Sequence, residues 1–365
     1  MAWSWGLVGL PNAGKSTVFN ALTRGRAETG VYPFTTVDPH RGAFPVADGR
    51  LDRLRDLAGS RSATPAAMEV VDIAGLVRGA SRGEGLGNQF LAHIREADAI
   101  IHVLRCFESP RVSHPEGSVD PVRDREVVLT ELALADLETV RRRRDRVIKP
   151  ARLGERPAVE ELALLERVEA VLDRGSLPGD MDLAPGDRAH LSRELFLLTV
   201  KPCVCLANAG DDDLSAHPWW EPLSRRAEAD GIPLIPLRGR LEAELAELDP
   251  GEREEFARDL GLDGAGGLIA ALKVTLGLIS FFTCNANEAR AWLVPAGTTA
   301  VAAAGKVHSD MEEGFVRAEV VPYHALVAAG SLAAAREQGL TRIEGRDYPV
   351  AEGDIIHFRF RPPAL

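Results

Sequence analysis

One glycine-rich segment near the N-terminus constrains the fold of this 365-residue chain more than any other feature. From Gly9 to Thr17 it reads Gly-Leu-Pro-Asn-Ala-Gly-Lys-Ser-Thr, which fits the pattern G-x-x-x-x-G-K-[ST]. Glycines let backbone N–H groups turn inward around a phosphate. An apolar run precedes the segment, and Val18, Ala21 and Leu22 follow it at helical spacing, so a strand, a turn and a helix are predicted. The residues expected to contact a nucleoside triphosphate are Asn12, Ala13, Gly14, Lys15, Ser16 and Thr17.

Two side chains of this segment have predicted chemical roles. Lys15 supplies a cation for the β and γ phosphates and is the first predicted catalytic residue. Ser16 offers a hydroxyl to a magnesium ion. The start of the following helix adds a partial positive charge, which strengthens anion binding.

A second motif supplies the residues that would sense the γ-phosphate. Asp72 to Gly75 has the form D-x-x-G directly after a strand-like run. Asp72 is predicted to reach Mg²⁺ through water, and Gly75 to donate its N–H to the γ-phosphate. Between the two motifs, Thr36 is the predicted third metal-site residue, with Thr35 as the alternative. The two motifs together favour a GTPase-type switch domain over a metabolic kinase.

Composition limits the classes of function. The net charge of −11 argues against a protein that coats nucleic acid, so any RNA contact must come from a local patch. The four cysteines lack metal-ligand or disulfide spacing, which suits a reducing compartment. There is no signal-peptide pattern and no apolar run of bilayer length. We expect a cytoplasmic protein that does not enter the membrane.

Strand-like and helical runs alternate over the first three quarters of the chain. The strand-like runs are 3–8, 68–72, 99–106, 202–207 and 232–237. The alternation predicts an α/β fold, a doubly wound P-loop domain over 1–120 and 199–277. The charged, leucine-rich segment 121–198 is predicted to form an inserted helical hairpin. Residues 278–365, with short strands between turns, are predicted to form a separate α+β domain.

These motifs resemble the YchF branch of the Obg-related P-loop GTPases. The resemblance rests on 9–17, 32–39 and 72–91 and, in the tail, on 289–298, 304–310, 314–319 and 345–360. It spans nearly the whole chain and implies an Obg-type G domain with a helical hairpin and a C-terminal TGS domain of β-grasp fold. It also implies nucleotide hydrolysis, a preference for ATP over GTP, and ribosome association, with the large subunit as the expected partner.

The segment expected to select the base differs from the pattern of most GTPases and from that of the YchF family. Most GTPases carry N-K-x-D here, whereas this chain has Asn208, Ala209, Gly210 and Asp211. The missing lysine weakens packing on guanine, while the Asp211 carboxylate is the acceptor that guanine's N–H donors require. The YchF family usually carries Glu at that position. Asn208, Ala209 and Asp211 are the predicted base contacts, with ATP favoured on the resemblance and GTP kept as the alternative ligand.

The usual water-orienting glutamine is absent after D-x-x-G, where this chain has Leu76. His114 lies in a loop-like stretch after a strand and is the second predicted catalytic residue, positioning or deprotonating water. The alternative is a solvent-exposed loop histidine. A second hypothesis places K⁺ at Asn12, since related enzymes with Pro-Asn in this loop use such an ion.

The inserted hairpin carries a run of arginines from Arg141 to Arg146, interrupted by Asp145. The segment as a whole has balanced charge, so a solvated, salt-bridged surface is one expectation and an rRNA contact through Arg141–Arg146 is the other. The C-terminal module has no metal pattern and a slight negative charge, which favours docking on a protein or ribosomal surface.

Two functions remain open on the sequence. The first is an ATPase whose cycle controls ribosome binding. The second is a GTP-selective molecular switch with slow intrinsic hydrolysis that a partner stimulates. A phosphotransferase is disfavoured because no lid or acceptor pocket is recognisable.

Overall fold

The computed structural model describes residues 3–23, 40–73, 86–210, 214, 217–262 and 265–362. They divide into two compact units. The first comprises Met1–Phe44 and Glu69–Ala271, and the second Pro45–Met68 and Leu272–Leu365. Within the described residues no helix is both long and apolar enough to cross a lipid bilayer.

The described residues form two six-stranded sheets. In chain order the strands are β1 (Trp3–Val8), β2 (His40–Val46), β3 (Ser62–Thr64), β4 (Ala66–Asp72), β5 (Ala99–Cys106), β6 (Cys203–Ala209), β7 (Leu234–Leu237), β8 (Leu278–Cys284), β9 (Glu288–Pro295), β10 (Phe315–Pro322), β11 (Arg342–Glu344) and β12 (Asp354–Phe360).

Helices lie between most of these strands. They are α1 (Lys15–Thr23), α2 (Arg50–Ala58), α3 (Leu86–Glu96), α4 (Pro121–Arg152), α5 (Arg156–Asp173), α6 (Pro185–Ala189), α7 (Trp220–Ala229), α8 (Gly239–Leu245), α9 (Pro250–Asp259), α10 (Gly266–Thr275), α11 (Ala300–Val307), α12 (Ser309–Glu313), α13 (Tyr323–Ala329) and α14 (Leu332–Glu337).

The first sheet has the order β2-β4-β1-β5-β6-β7, and β1, β5, β6 and β7 run parallel. β5 is buried at all eight positions because strands flank it on both sides and the sheet is packed on its faces. The predicted α/β fold is confirmed. The parallel arrangement matters for function, since the carboxyl ends of these strands lie along one edge of the sheet.

The helical hairpin predicted within 121–198 corresponds to α4 and α5. α4 begins with Pro121 at its first turn and with the Asp120 carboxylate accepting a hydrogen bond from the Arg123 N–H. The two helices pack through an apolar cluster to which Val140, Leu165 and Val168 contribute buried side chains. The hairpin therefore has a core of its own within the first unit.

Buried Asp136 fixes this hairpin to the chain that leads into β6. Its carboxylate accepts hydrogen bonds from the Leu198 and Thr199 N–H groups, both at 2.8 Å, and from the Thr199 hydroxyl at 2.6 Å. The side chain is fully inaccessible to solvent. All three donors depend on one carboxylate for their hydrogen bonds.

The second unit is built on the sheet β11-β10-β12-β8-β9-β3. β8 and β9 are antiparallel, β12 and β8 are parallel, and Phe281, Val320 and Phe358 lie in the core beneath α11. This mixed sheet with helices matches the predicted α+β, β-grasp class.

The second unit also includes residues 45–68, which the sequence analysis had assigned to the nucleotide-binding domain. β3 pairs in parallel with β9, and the Arg50 guanidinium binds both Asp48 and Glu352. These long-range contacts group residues 45–68 with the second compact unit, whereas the sequence analysis placed them within 1–120. They were not predictable because the three-residue β3 has no local pattern that identifies its partner.

Replacing Asp136 with Ala is expected to lower the free energy of unfolding by about 2–4 kcal/mol, because it leaves the buried Leu198 N–H and the half-buried N–H and hydroxyl of Thr199 unpaired. Urea denaturation measures this loss. Asp145→Ala is the matched control, since the Asp145 side chain is 68% exposed, and it should change stability by less than about 0.5 kcal/mol. Equal effects of the two substitutions would contradict the anchoring role of Asp136.

Candidate functional site

The glycine-rich turn between β1 and α1 is close-packed against neighbouring strands. A Cβ on Gly9 would lie 2.4 Å from the Val103 carbonyl oxygen of β5. Gly14 has φ +95°, and a Cβ there would lie 2.0 Å from Asn208 Nδ2. Glycine is required at both positions by space, and at Gly14 also by backbone conformation. The turn therefore has the strand–turn–helix setting that the sequence predicted.

Lys15 is buried at the start of α1. Its ammonium group donates to the carbonyl oxygens of Gly9 and Leu10, at 3.2 and 3.0 Å. Burial lowers the pKa of Lys15 to about 8, and the negative charge of Asp72 opposes that shift. A buried cation with two neutral acceptors is well suited to bind an anionic ligand.

Ser16 and Asp72 meet directly. The Ser16 hydroxyl donates to Asp72 Oδ2 at 2.6 Å, although 56 residues separate them in sequence. A hydroxyl and a carboxylate are hard oxygen donors of the kind that Mg²⁺ prefers. Two of the four predicted metal-site and sensor residues are therefore brought together, whereas Thr36 and Gly75 lie outside the described residues.

Asn208, at the end of β6, is buried against the glycine-rich turn. Its Nδ2 donates to the Ala13 carbonyl oxygen at 2.9 Å. Its Oδ1 approaches Gly239 closely enough that a Cβ on that glycine would lie 2.6 Å away. Asn208 was predicted to contact the base; the structure shows that its amide nitrogen holds the turn in place. Asp211 lies outside the described residues.

A cavity of about 590 Å³ opens beside this turn. Its lining combines the glycine-rich turn, the chain after β5, the chain after β6, and α8. The lining residues are Gly14, Thr17, Cys106, Phe107, Glu108, Ser109, Val112, Asn208, Ala209, Gly210, Leu214, His217 and Arg240. Four of the predicted contact residues, Gly14, Thr17, Asn208 and Ala209, thus line one cavity.

His114 lies in the loop after β5, and its side chain is only 5% exposed. Nε2 lies 2.8 Å from Asp124 Oδ2, and Nδ1 accepts a hydrogen bond from the Glu116 N–H. Since Nδ1 is the acceptor, Nε2 carries the proton and donates to Asp124. The imidazole is close to Leu10 and Ala13 of the glycine-rich turn. The alternative of a solvent-exposed histidine does not hold, because the His114 side chain is almost fully buried against Asp124.

The same loop contacts the turn through Asn12, which has φ +63°. Its Nδ2 donates to the Ser113 carbonyl oxygen at 3.1 Å. The loop that carries His114 is therefore bonded to the glycine-rich turn, although more than 100 positions separate them.

Two residues that the sequence analysis did not single out organise this loop. Asp124, on α4, binds His114, and Arg105, near the end of β5, donates to loop carbonyls. The available signal for Arg105 was a charged residue within an otherwise apolar strand. No local pattern marked Asp124, because its role depends on the approach of α4.

Most of the arginines from Arg141 to Arg146 face acids of α5. Arg141 pairs with Glu169 and Asp173, and Arg143 pairs with Glu161. A further bond joins Arg144 to Glu169. These contacts correspond to the salt-bridged surface that was one of the two expectations for the run.

The fold and site are those of a P-loop nucleoside triphosphatase. Residues 4–136 match the family model described as "50S ribosome-binding GTPase". Residues 278–361 match YchF-GTPase_C, described as "Protein of unknown function (DUF933)".

Curated relatives and a solved structure match at full length. The ribosome-binding ATPase YchF of Escherichia coli O157:H7 is 44% identical, with 99% of each chain covered. That of Bacillus subtilis is 42% identical over 99% of this chain and 100% of the relative. The structure of the Schizosaccharomyces pombe YchF GTPase aligns with TM-score 0.86 and 33% identity, covering 98% of this chain and 97% of that chain. This chain belongs to the YchF family.

Gly14→Ala is expected to weaken binding of a hydrolysis-resistant ATP analogue at least about tenfold, or 1.4 kcal/mol. The added Cβ has no room beside Asn208 and strains a left-handed backbone, so the turn must shift. Gly251→Ala is the control because, apart from its chain neighbours and its own helix backbone, no atom of the described residues lies within 4 Å of its Cβ position. Calorimetric titration of both folded variants tests this, and unchanged binding by Gly14→Ala would contradict the geometry.

Proposed function

We propose that this chain hydrolyses Mg²⁺-bound ATP to ADP and phosphate, and that its nucleotide state controls binding to the ribosome in the cytoplasm. The observation that carries the proposal is the buried Lys15 beside the Ser16–Asp72 pair, between Gly14 and Thr17, which line a cavity large enough for a nucleotide. The curated relatives with the same overall length are named ribosome-binding ATPases, which supports the same activity here.

The base is proposed to be adenine. The lysine that packs over guanine in N-K-x-D is absent, and the amide nitrogen of Asn208 donates a hydrogen bond to the Ala13 carbonyl oxygen. The remaining guanine-selective group is Asp211, which keeps GTP as a weaker ligand. The alternative is a GTP-selective switch in which Asp211 reads guanine and a partner stimulates slow hydrolysis.

Competition between hydrolysis-resistant ATP and GTP analogues tests the base. We expect ATP to bind more tightly by at least about tenfold, because Ala209 replaces the lysine that packs on guanine in N-K-x-D and the full-length relatives are named ATPases. Asp211→Asn should leave ATP affinity nearly unchanged and weaken GTP further. A tenfold GTP preference would overturn the adenine assignment and support the switch.

Ser16, Asp72 and Thr36 are the proposed magnesium-site residues, with Asp72 acting through water. The ion would supply positive charge to the phosphate oxygens when bound. Lys15 would hold the β and γ phosphates, and the N–H groups of 12–17 and of Gly75 would orient them. Asn12 is proposed to contribute to a K⁺ site, which exchange of potassium for sodium would test.

His114 is the proposed water-positioning residue, since Leu76 cannot hydrogen-bond. The imidazole has the arrangement of a base held by an orienting carboxylate, Asp124. Both ring nitrogens are engaged, so one of these hydrogen bonds must be exchanged for a water before His114 can act on it.

His114→Ala is expected to reduce ATP turnover by about 10²-fold while leaving nucleotide affinity within about twofold, the behaviour of a group that acts in the transition state. His190→Ala is the control. His190 is also a partly buried histidine paired with acids, but it lies on the chain after α6. Turnover of His114→Ala equal to wild type would eliminate the role.

Ribosome binding is proposed to involve the large subunit, with rRNA contact through the segment Arg141–Arg146. Since Arg141, Arg143 and Arg144 bond acids of α5, the residues best placed for phosphate contact are Arg142 and Arg146. Arg142 has a side chain 60% exposed, and Arg146 is exposed. Phosphate contacts by these two arginines would make the binding dependent on salt.

A further inference from the structure

We propose that Arg105 is a positioning residue of the nucleotide site, which holds the loop 107–113 as a wall of the cavity and places His114 beside the glycine-rich turn. The inference rests on the proposed nucleotide-dependent function, and it adds a residue that neither a sequence motif nor a nucleotide contact identifies.

One guanidinium group closes the loop at both ends. Arg105 Nε donates to the Phe107 carbonyl oxygen at 3.1 Å, Nη2 to Val112 at 2.9 Å and Nη1 to Ser113 at 3.1 Å. The guanidinium also lies 4.7 Å from the centre of the Phe107 ring. Arg105 is 3% exposed, so its guanidinium is almost fully removed from water where it binds the loop. A planar group with five donors can serve three carbonyls at once, and an ammonium group cannot match that geometry.

The bonded loop faces the cavity. Phe107 and Val112, whose carbonyls bind Arg105, both line it, and so do Glu108 and Ser109 between them. The position of this wall is therefore set by the arginine behind it. Loss of the three hydrogen bonds would change the shape of the cavity without removing a lining side chain.

The far end of the loop connects to the glycine-rich turn. The Ser113 carbonyl oxygen accepts from both Arg105 and Asn12, and His114 is the next residue. His114 is then held by Asp124. Arg105 thus lies at one end of a continuous set of bonds that includes the turn, the loop and the imidazole. A small displacement of the His114 imidazole would lower the rate of a reaction that depends on its alignment.

A second buried arginine provides a matched control. Arg125 is 1% exposed, and its ion pairs are with Asp230 at 2.7 Å and Glu126 at 3.8 Å. Arg125→Met therefore removes a buried guanidinium of comparable accessibility whose ion partners lie outside the loop 107–113.

The test compares full-length wild type, Arg105→Met, Arg105→Lys and Arg125→Met. Hydrogen exchange of the 107–117 peptide, affinity for a hydrolysis-resistant ATP analogue, and kcat and KM for ATP are measured on each folded protein. We expect Arg105→Met to speed loop exchange and weaken nucleotide affinity by about tenfold each, and to lower kcat by about 10²-fold. Arg105→Lys should not restore nucleotide affinity, because the three donors of an ammonium group radiate from one nitrogen and cannot reproduce the spacing of Nε, Nη1 and Nη2. Arg125→Met should leave loop exchange, affinity and kcat near wild type.

Two other results would overturn the inference. One is wild-type loop exchange and affinity in Arg105→Met, and the other is full recovery of affinity and kcat in Arg105→Lys, which would show that charge alone matters. Failure of the proposed function is a separate outcome: wild-type protein would then bind neither nucleotide analogue, while the hydrogen-exchange comparison would still report whether Arg105 holds the loop.

Discussion

The buried ammonium group of Lys15 is the constraint on which the site depends. Its charge is removed from water and its pKa is lowered to about 8 by burial, and within the described part of the chain its hydrogen-bond acceptors are the carbonyls of Gly9 and Leu10. That arrangement persists only if the turn around it cannot relax. Gly14 and Asn208 prevent relaxation, because the turn fits against the asparagine amide with no space for a side chain. Packing therefore holds the Lys15 ammonium group in a position where binding of a phosphate would be favourable.

The parallel strands explain why distant segments converge here. β1, β5 and β6 run in the same direction, so the turn, the loop 107–117 and the segment after Asn208 all leave the sheet at one edge. Asp72, the last residue of β4, is joined to the glycine-rich turn by the hydrogen bond from the Ser16 hydroxyl. The cavity forms between these segments, and buried polar side chains hold two of them: Arg105 binds the loop after β5, and Asn208 binds the glycine-rich turn.

Much of this was predictable where the pattern is local. β5 was expected at 99–106 and is found there, because an apolar run of that length in an α/β chain is a central strand. The glycine-rich turn, Lys15 and the Ser16–Asp72 pair follow from motif chemistry. What the sequence did not reveal depends on contacts between distant positions: the Asn208 clamp on Ala13, the Asp124 partner of His114, and the pairing of β3 with β9. The arginines of the hairpin show the same limit, since charge counting could not tell that Arg141 and Arg143 face α5.

The most direct test of the account is steady-state hydrolysis of ATP and GTP, with and without purified large ribosomal subunits, by wild type and by Lys15→Met. The account predicts that ATP is hydrolysed faster than GTP, that large subunits raise the rate, and that Lys15→Met loses both activities because the phosphates lose their buried cation. Hydrolysis that persists unchanged in Lys15→Met, or wild-type hydrolysis of GTP alone, would contradict it.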